Sequence, residues 1–260
     1  MTRTYVITGA ASGIGKATAA LLTEQGHRVI GVDLRGSDID ADLSTAEGCA
    51  QMVDAVAALS GGTIDAVIAN AGLSSPTVAT AAVNYFGAVG TLEGLRPLLA
   101  GSASPRAVAT ASMASLFPPD DPLLDAMLAG DEATALARAG ELAAAGGAEA
   151  GTIYGTSKRA LARWIRRHAA TPEWAGAGIA LNAVAPGVVA TPMTAALTDS
   201  EEARTALLQM VPMPLNGIFE PSAVASLLAW LTSEDNAHLC GHAIFIDGGP
   251  DAVMRGDSTW

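Results

Sequence analysis

A short apolar run near the N-terminus stops at a cluster of glycines. Thr4 to Thr8 is typical of a buried strand, and Thr8-Gly9-Ala10-Ala11-Ser12-Gly13-Ile14-Gly15 leads directly into a helical pattern from Ser12 to Gln25. Glycine permits a sharp backbone turn without a Cβ clash, and the first turn of a helix offers free N–H groups. This order therefore predicts a loop that binds the pyrophosphate of a dinucleotide. A plain structural turn is the alternative.

Short β-branched runs alternate with longer helical patterns along the rest of the chain. This alternation predicts an α/β protein with a single-domain Rossmann fold, in which a doubly wound parallel sheet is flanked by helices. Since composition changes nowhere sharply, we expect one domain over residues 1–260. The predicted strands are Thr4–Thr8, Arg28–Asp33, Ala66–Ala69, Ala107–Thr110, Ile179–Val184 and Ala243–Ile246.

One segment, residues 117–151, shows two helix signals and no strand signal. Asp121-Pro122 is typical of the start of a short helix through Leu128, and Asp131 begins a second helix that ends near Ala145. The segment is too short to hold a core of its own. We therefore expect an inserted helical pair rather than a separate domain.

Charge and composition exclude several classes of partner. The net charge of −12 repels nucleic acid and anionic membrane surfaces alike. Apolar stretches fall well short of the ~18 residues that a membrane span needs, and the N-terminal residues do not resemble a signal peptide, so we expect a cytoplasmic protein. The two cysteines and four histidines lack metal-ligand spacing, and no metal is expected.

Asp33 ends the second predicted strand and bears on the choice of dinucleotide. A carboxylate at this place can accept hydrogen bonds from the adenosine ribose and would repel a 2′-phosphate, which favours NAD over NADP. Arg35 is the contrary signal, because a guanidinium could bind that phosphate. We predict NAD as the cofactor.

Tyr154 and Lys158 are four residues apart, so they lie on one face if the stretch from Tyr154 to Ala170 is helical. A tyrosine that acts as a base near neutral pH needs its pKa of about 10 lowered by ~2 to 3 units. A neighbouring ammonium, helped by an oxidised nicotinamide, acts in that direction. Read alone, a Tyr and a Lys at this spacing are more often an ordinary surface pair.

The spacing T-G-x-x-x-G-x-G, followed in order by Asn84, Ser112, Tyr154 and Lys158, resembles the short-chain dehydrogenase/reductase family. The resemblance implies hydride transfer between a nicotinamide and a secondary alcohol or ketone, with Tyr154 as acid/base. It implies that Ser112 hydrogen-bonds the substrate oxygen and that Lys158 holds the nicotinamide ribose and lowers the Tyr154 pKa. Asn84 would hold a helix bend and anchor a proton path to solvent.

The same resemblance implies further cofactor contacts by position. Asp42-Leu43 would face the adenine, although Asp42 could simply start a helix. Asn70-Ala71-Gly72 would follow the fourth strand, although Asn70 could be an ordinary turn residue. The stretch from Pro186 to Thr191 would contact the carboxamide, or form only a turn. The full predicted cofactor set is Gly9, Ser12, Gly13, Ile14, Gly15, Asp33, Asp42, Leu43, Asn70, Ala71, Gly72, Tyr154, Lys158, Pro186, Gly187, Val189 and Thr191.

Two segments bear on the substrate. The loop from Pro192 to Asn216 contains Met193, Met210 and Met213, and we expect it to be mobile and to fold over the substrate. The insertion separates Ser112 from Tyr154 more widely than in most relatives and resembles the bacterial hydroxysteroid dehydrogenases of the family. That likeness implies NAD(H)-linked interconversion of 3α-hydroxy and 3-keto steroids, with broader reduction of ketones and aldehydes.

Two other functions stay open. One is reduction of a different carbonyl, such as a quinone, a terpenoid or an acyl thioester; the other is a non-catalytic NAD sensor, which the four catalytic-type residues argue against. The insertion directly precedes the Tyr154 helix, which pairs between subunits in most relatives. We therefore expect a homodimer through the helix Pro221–Leu231 and the strand Ala243–Ile246 instead of a tetramer.

Overall fold

The strands of the protein are built from its short apolar runs. In the computed structural model, which describes residues 2–258, these runs form a seven-stranded parallel sheet. Parallel strands covered by helices are buried on both faces, which explains why polar residues hardly alternate within them. The strands are β1 (Thr4–Thr8), β2 (Arg28–Asp33), β3 (Ile39–Asp40), β4 (Ala66–Ala69), β5 (Arg106–Thr110), β6 (Ala180–Pro186) and β7 (Ala243–Ile246).

The strand order is β3-β2-β1-β4-β5-β6-β7, so the chain reverses direction across the sheet between β1 and β4. Loops diverge at the carboxyl ends of the strands at such a switch point and leave a crevice for a ligand. The predicted doubly wound Rossmann fold is confirmed. The structure adds β3, which pairs with the end of β2 through Val32 with Ile39 and Asp33 with Asp40.

Helices cover both faces of the sheet. Leu22, Val224 and Leu228 belong to an apolar cluster on one face, where α1 packs against α9. A larger cluster on the other face joins α2, α4 and α7. The helices are α1 (Gly13–Glu24), α2 (Ala46–Ser60), α3 (Val78–Ala81), α4 (Ala88–Leu99), α5 (Asp121–Ala129), α6 (Glu132–Ala145), α7 (Gly147–His168), α8 (Glu201–Met210), α9 (Pro221–Leu231) and α10 (Pro250–Arg255).

The inserted segment forms the predicted helical pair, α5 and α6. Asp120 caps α5, its carboxylate accepting the N–H of Leu123 at 2.9 Å, and Asp131 caps α6. Both helices pack against α7, with Leu123 and Met127 fully buried. The insertion therefore covers one face of the helix that carries Tyr154.

Two predicted segments differ from their expected form. The helix α7 begins at Gly147, about two turns before Tyr154, because it continues almost directly from α6. The stretch from Pro192 to Asn216 is not a loop throughout, since it contains a 3-10 turn (Ala195–Leu197) and α8. Between residues 2 and 258, no helix combines the length and apolar character needed to cross a bilayer.

Candidate active site

A cavity of about 530 Å³ lies at the carboxyl ends of the central strands, at the switch point of the sheet. It is lined by the turn after β1, the end of β2 and the loops after β4, β5 and β6. The predicted cofactor residues all line it, with the exception of Gly15. The part of the chain that the structure describes contains no cluster of three His, Cys, Asp or Glu residues that could hold a metal ion.

The glycine turn after β1 fits a pyrophosphate. Gly9 and Gly13 have positive φ values of 69° and 51°, which side-chain-bearing residues rarely adopt. Gly15 does not line the cavity, and its contact with the cofactor stays a prediction; a Cβ there would lie 2.0 Å from the Gly9 carbonyl oxygen. It lets α1 pack against the turn, so that the N-terminal N–H groups of the helix face the cavity.

Asp33 and Asp42, the two acidic residues predicted to contact the adenosine part of the cofactor, both line the cavity. Asp33 accepts the N–H of Ala11 at 2.9 Å and the N–H of Leu34 at 2.7 Å, which fixes its carboxylate at the cavity wall. Asp42 accepts the N–H and hydroxyl of Ser44, and these hydrogen bonds lower the pKa of its carboxyl. Arg35 is exposed and does not line the cavity.

Threonine hydroxyls hold the loop after β4. The Thr8 hydroxyl accepts the N–H groups of Asn70 and Ala71, both at 3.0 Å. The Thr110 hydroxyl donates to Asn70 Oδ1 at 3.0 Å. Thr110 was not predicted as a site residue, because its position at the end of β5 gains a role only through the pairing of β4 with β5.

The structure brings Ser112, Tyr154 and Lys158 together at one side of the cavity. Ser112 follows β5 and caps a 3-10 turn (Met113–Leu116), accepting the N–H of Ala114 at 3.1 Å. Tyr154 and Lys158 project from the same face of α7. The Lys158 Nζ donates to the Thr110 carbonyl at 2.7 Å.

Burial dominates the protonation of both α7 side chains. It raises the pKa of the Tyr154 phenol above 10, and a hydrogen bond with Ser112 acts in the opposite direction. It lowers the pKa of Lys158 to about 8. Burial and the Ser112 hydrogen bond account for the shift of the Tyr154 pKa, and the predicted lowering of that pKa by Lys158 together with an oxidised nicotinamide stays a prediction.

Asn84 lies behind the cavity wall in a π-helical segment (Ala82–Gly87), fully buried. Its Oδ1 accepts the N–H of Leu73 at 2.8 Å, and its Nδ2 donates to the Leu73 carbonyl at 2.9 Å and to Ser157 Oγ at 3.1 Å. A Cβ at Gly72 would lie 3.1 Å from Asn84 Oδ1 and 3.2 Å from Lys158 Nζ. Asn84 thus joins the loop after β4 to α7 beside the lysine.

A second cavity of about 800 Å³ opens beside the first. Ser112, Tyr154, Met193 and Thr194 line both cavities, so the phenol lies where they meet. Most other lining side chains are apolar, and many come from the segment between Pro192 and Asn216. We call this second cavity the apolar cleft.

The chain is similar to known dehydrogenases and reductases, as the geometry of the cavity suggests. A family model described as Enoyl-(Acyl carrier protein) reductase matches residues 9–251. The chain is 39% identical to the 3-alpha-hydroxysteroid dehydrogenase/carbonyl reductase of Comamonas testosteroni over 96% of this chain and 97% of the relative. It is 29% identical to the cis-4-hydroxycyclohexanecarboxylate dehydrogenase of Sinomonas cyclohexanicum, over 96% and 97% of the two chains.

A solved structure is similar over nearly its whole length. The 3-alpha-hydroxysteroid dehydrogenase from Pseudomonas sp. B-0831, crystallised as a complex with NADH, superposes with a TM-score of 0.88 at 38% identity and covers 98% of this chain and 99% of its own. A glycine turn at the switch point and a Ser, Tyr and Lys around one cavity define a nicotinamide-dependent oxidoreductase. The chain belongs to the short-chain dehydrogenase/reductase family. The predicted resemblance and the predicted alcohol dehydrogenase or carbonyl reductase class are confirmed.

Proposed function

We propose that the protein interconverts 3α-hydroxysteroids and 3-ketosteroids with NAD(H), and that it also reduces other ketones and aldehydes. The observation that carries this proposal is the apolar cleft of about 800 Å³, which meets the cofactor cavity at Tyr154. Its size and apolar lining suit a large, flat hydrocarbon body. The full-length similarity to a hydroxysteroid dehydrogenase/carbonyl reductase supports the same substrate class.

The side chains at the junction of the two cavities divide the reaction between them. In alcohol oxidation, the Tyr154 phenolate takes the proton of the substrate hydroxyl, while Ser112 donates a hydrogen bond to the substrate oxygen. In reduction, Tyr154 returns the proton. A nicotinamide held in the cofactor cavity would supply the hydride chemistry and, when oxidised, a positive charge that favours the Tyr154 phenolate.

Lys158 and Asn84 support this proton transfer. With a pKa of about 8, the Lys158 amine can gain or lose a proton in mildly basic solution. We propose that its ammonium holds the nicotinamide ribose. Asn84 fixes the backbone of Leu73 and the side chain of Ser157 around the lysine, and would anchor the path by which protons reach solvent.

The choice of cofactor and the assembly are parts of the same proposal. Asp33 at the cavity wall, with Arg35 outside it, supports NAD over NADP. The cover that α5 and α6 place on α7 supports a homodimer through α9 and β7. A cytoplasmic location stays a prediction.

The variant Tyr154→Phe tests the reaction. Removing the phenol oxygen should lower kcat by about 10²- to 10⁴-fold, the usual contribution of a general acid/base, while NADH binding measured by fluorescence stays unchanged. Tyr85→Phe is the matched control, because Tyr85 is buried outside both cavities. Turnover of Tyr154→Phe within a few-fold of wild type would remove Tyr154 from this role.

A substrate panel tests the steroid assignment separately. We expect 3-ketosteroids to be reduced with NADH at a higher kcat/KM than quinones, terpenoid ketones or acyl thioesters. If one of those compounds is the preferred substrate, the steroid assignment is wrong, although the reaction class is retained.

A further inference from the structure

One wall of the apolar cleft is formed by small residues of α7. Ala148, Gly151, Thr152 and Gly155 line the cleft at spacings of three and four residues, which places them on one face of the helix. Ala148 lies about 9 Å from Tyr154 along the helix axis, at about 1.5 Å per residue. The wall therefore extends well past the reacting group, farther than a single six-membered ring.

Longer apolar side chains from the segment after β6 also line the apolar cleft. Several remain accessible, with exposed fractions of 44% for Met193, 53% for Leu197 and 65% for Met210. Accessible apolar side chains around a concave surface are typical of sites that bind apolar ligands. Methionine also adapts its shape to a ligand. The apolar cleft is thus lined by small residues from α7 and by long, accessible apolar side chains from the segment after β6.

Gly151 and Gly155, the two glycines of this wall, differ in whether packing explains the absence of a side chain. A Cβ at Gly155 would lie 2.9 Å from the Ala114 carbonyl oxygen, so close packing of the 3-10 turn explains that glycine. Gly151 is exposed, and apart from its chain neighbours and the backbone of its own helix turn no atom among residues 2–258 lies within 4 Å of an added Cβ; its φ is not in the left-handed region. Neither packing nor backbone geometry therefore requires a glycine at position 151.

A glycine inside a helix destabilises the helix relative to alanine. Gly151 lines the apolar cleft, so a side chain at this position would occupy space that is now open. We infer that Gly151 is a specificity-determining residue: its missing side chain keeps the wall of α7 flat and admits a fused multi-ring body alongside the helix. This inference rests on the proposed function, since the ring that reacts must lie at Tyr154.

The test compares Gly151→Leu with Gly151→Ala on ketones of two sizes. In Gly151→Leu, the side chain enters the cleft and should raise KM for a 3-ketosteroid at least about 10-fold, while kcat/KM for cyclohexanone stays within about 3-fold. Gly151→Ala removes the glycine without filling the cleft, so both substrates should react as with wild type. Thermal unfolding confirms that both variants fold.

A Gly151→Leu enzyme that keeps its KM for the 3-ketosteroid, or that loses cyclohexanone reduction equally, would overturn the inference. A tricyclic ketone that is not a steroid is included in the same assays. If the wild type reduces that ketone and no steroid, the proposed substrate fails, and the effect of Gly151→Leu on the tricyclic ketone then decides the role of Gly151 independently.

Discussion

Lys158 shows how a buried ionisable side chain in the candidate site reduces the stability of the fold. Its Nζ is buried beside Gly72 and donates to the Thr110 carbonyl. Burial depresses its pKa from 10.5 to about 8, so the charged form is less favourable in the folded protein than in the unfolded chain. This penalty is fully present below pH 8.

The penalty predicts a specific pH dependence of stability. Between pH 8 and about 10.5 the unfolded chain binds more protons at Lys158 than the folded protein, so the free energy of unfolding rises with pH by up to about 1.4 kcal/mol per unit from this group. Urea unfolding of wild type and Lys158→Met should show wild type gaining stability relative to the variant from pH 8 to 10. Lys16→Met, which removes an exposed lysine, is the control. Parallel curves for wild type and Lys158→Met would contradict the prediction.

Asp33 supplies a second prediction at the residue scale. We expect Asp33→Ala to lower kcat/KM for NAD by about 10- to 100-fold, since hydrogen bonds to a charged group contribute about 1.5–3 kcal/mol. The value for NADP should change less, because the repulsion of its 2′-phosphate is removed at the same time. Arg35→Ala should leave the ratio within about two-fold. An unchanged ratio in Asp33→Ala would exclude Asp33 from cofactor selection.

Short motifs predicted most residues of the candidate site, because they combine residue type with a fixed place at the end of a strand. Gly15 was placed in the cavity by its motif, although its role is to let α1 approach the turn. The Lys158 pKa and the Thr110 carbonyl could not be inferred, since both depend on which strands and helices lie next to each other. Gly151 was missed because an absent side chain gives no signal in one sequence.

At the scale of elements, α7 is fastened to the segment that follows β5. The Thr156 hydroxyl accepts the N–H of Asp120 at 2.9 Å. Arg159 donates through Nε to the Ser115 carbonyl at 2.7 Å and through Nη2 to the Leu116 carbonyl at 3.3 Å. These bonds hold the 3-10 turn that Ser112 caps, so Arg159 is a positioning residue for the Ser112 hydroxyl.

Loss of Arg159 should therefore alter the titration of the phenol. The hydrogen bond with Ser112 acts to lower the Tyr154 pKa, and we expect its weakening in Arg159→Ala to raise the apparent pKa of kcat/KM for alcohol oxidation. Arg159→Lys should restore part of the effect. Arg163→Ala, which removes an exposed arginine from the same helix, should leave the profile unchanged. A lower rate with an unmoved pH profile would show that Arg159 has only a general structural role.

Periodicity predicted the elements well where they are long or strongly apolar. The strand β3 was missed because two residues carry no periodic pattern. The early start of α7 was missed because Gly146 and Gly147 are typical of a helix end, yet their positive φ values let the chain turn from one helix into the next. The helices of the insertion were predicted from cap residues: Asp131 does cap α6, whereas α5 is capped by Asp120 and not by Asp121, which is the first residue of the helix. The packing of both helices on α7 could be seen only in the structure.

In the molecule as a whole, the inserted helices α5 and α6 limit which surfaces can contact a second subunit. Because α5 and α6 pack on α7, the exposed candidates are α9 and the edge strand β7. Trp230 on α9 is 45% exposed. The strand β7 lies at the edge of the sheet, and its residues are only partly buried. An edge strand leaves N–H and C=O groups unpaired along one side, which a second subunit can satisfy or cover.

The exposed surfaces of α9 and β7 lead us to expect a dimer, which a charged residue in place of Trp230 should weaken. Light scattering should give the mass of two 26.0 kDa chains, and Trp230→Lys should shift the protein toward monomer at micromolar concentration, because it places a charge where an aromatic side chain would be buried. Leu59→Lys is the matched control, since Leu59 on α2 is also 45% exposed and lies outside the predicted interface. A mass of four chains would mean that α5 and α6 leave the α7 surface free to pair. A dimer unaffected by Trp230→Lys would place the interface away from Trp230.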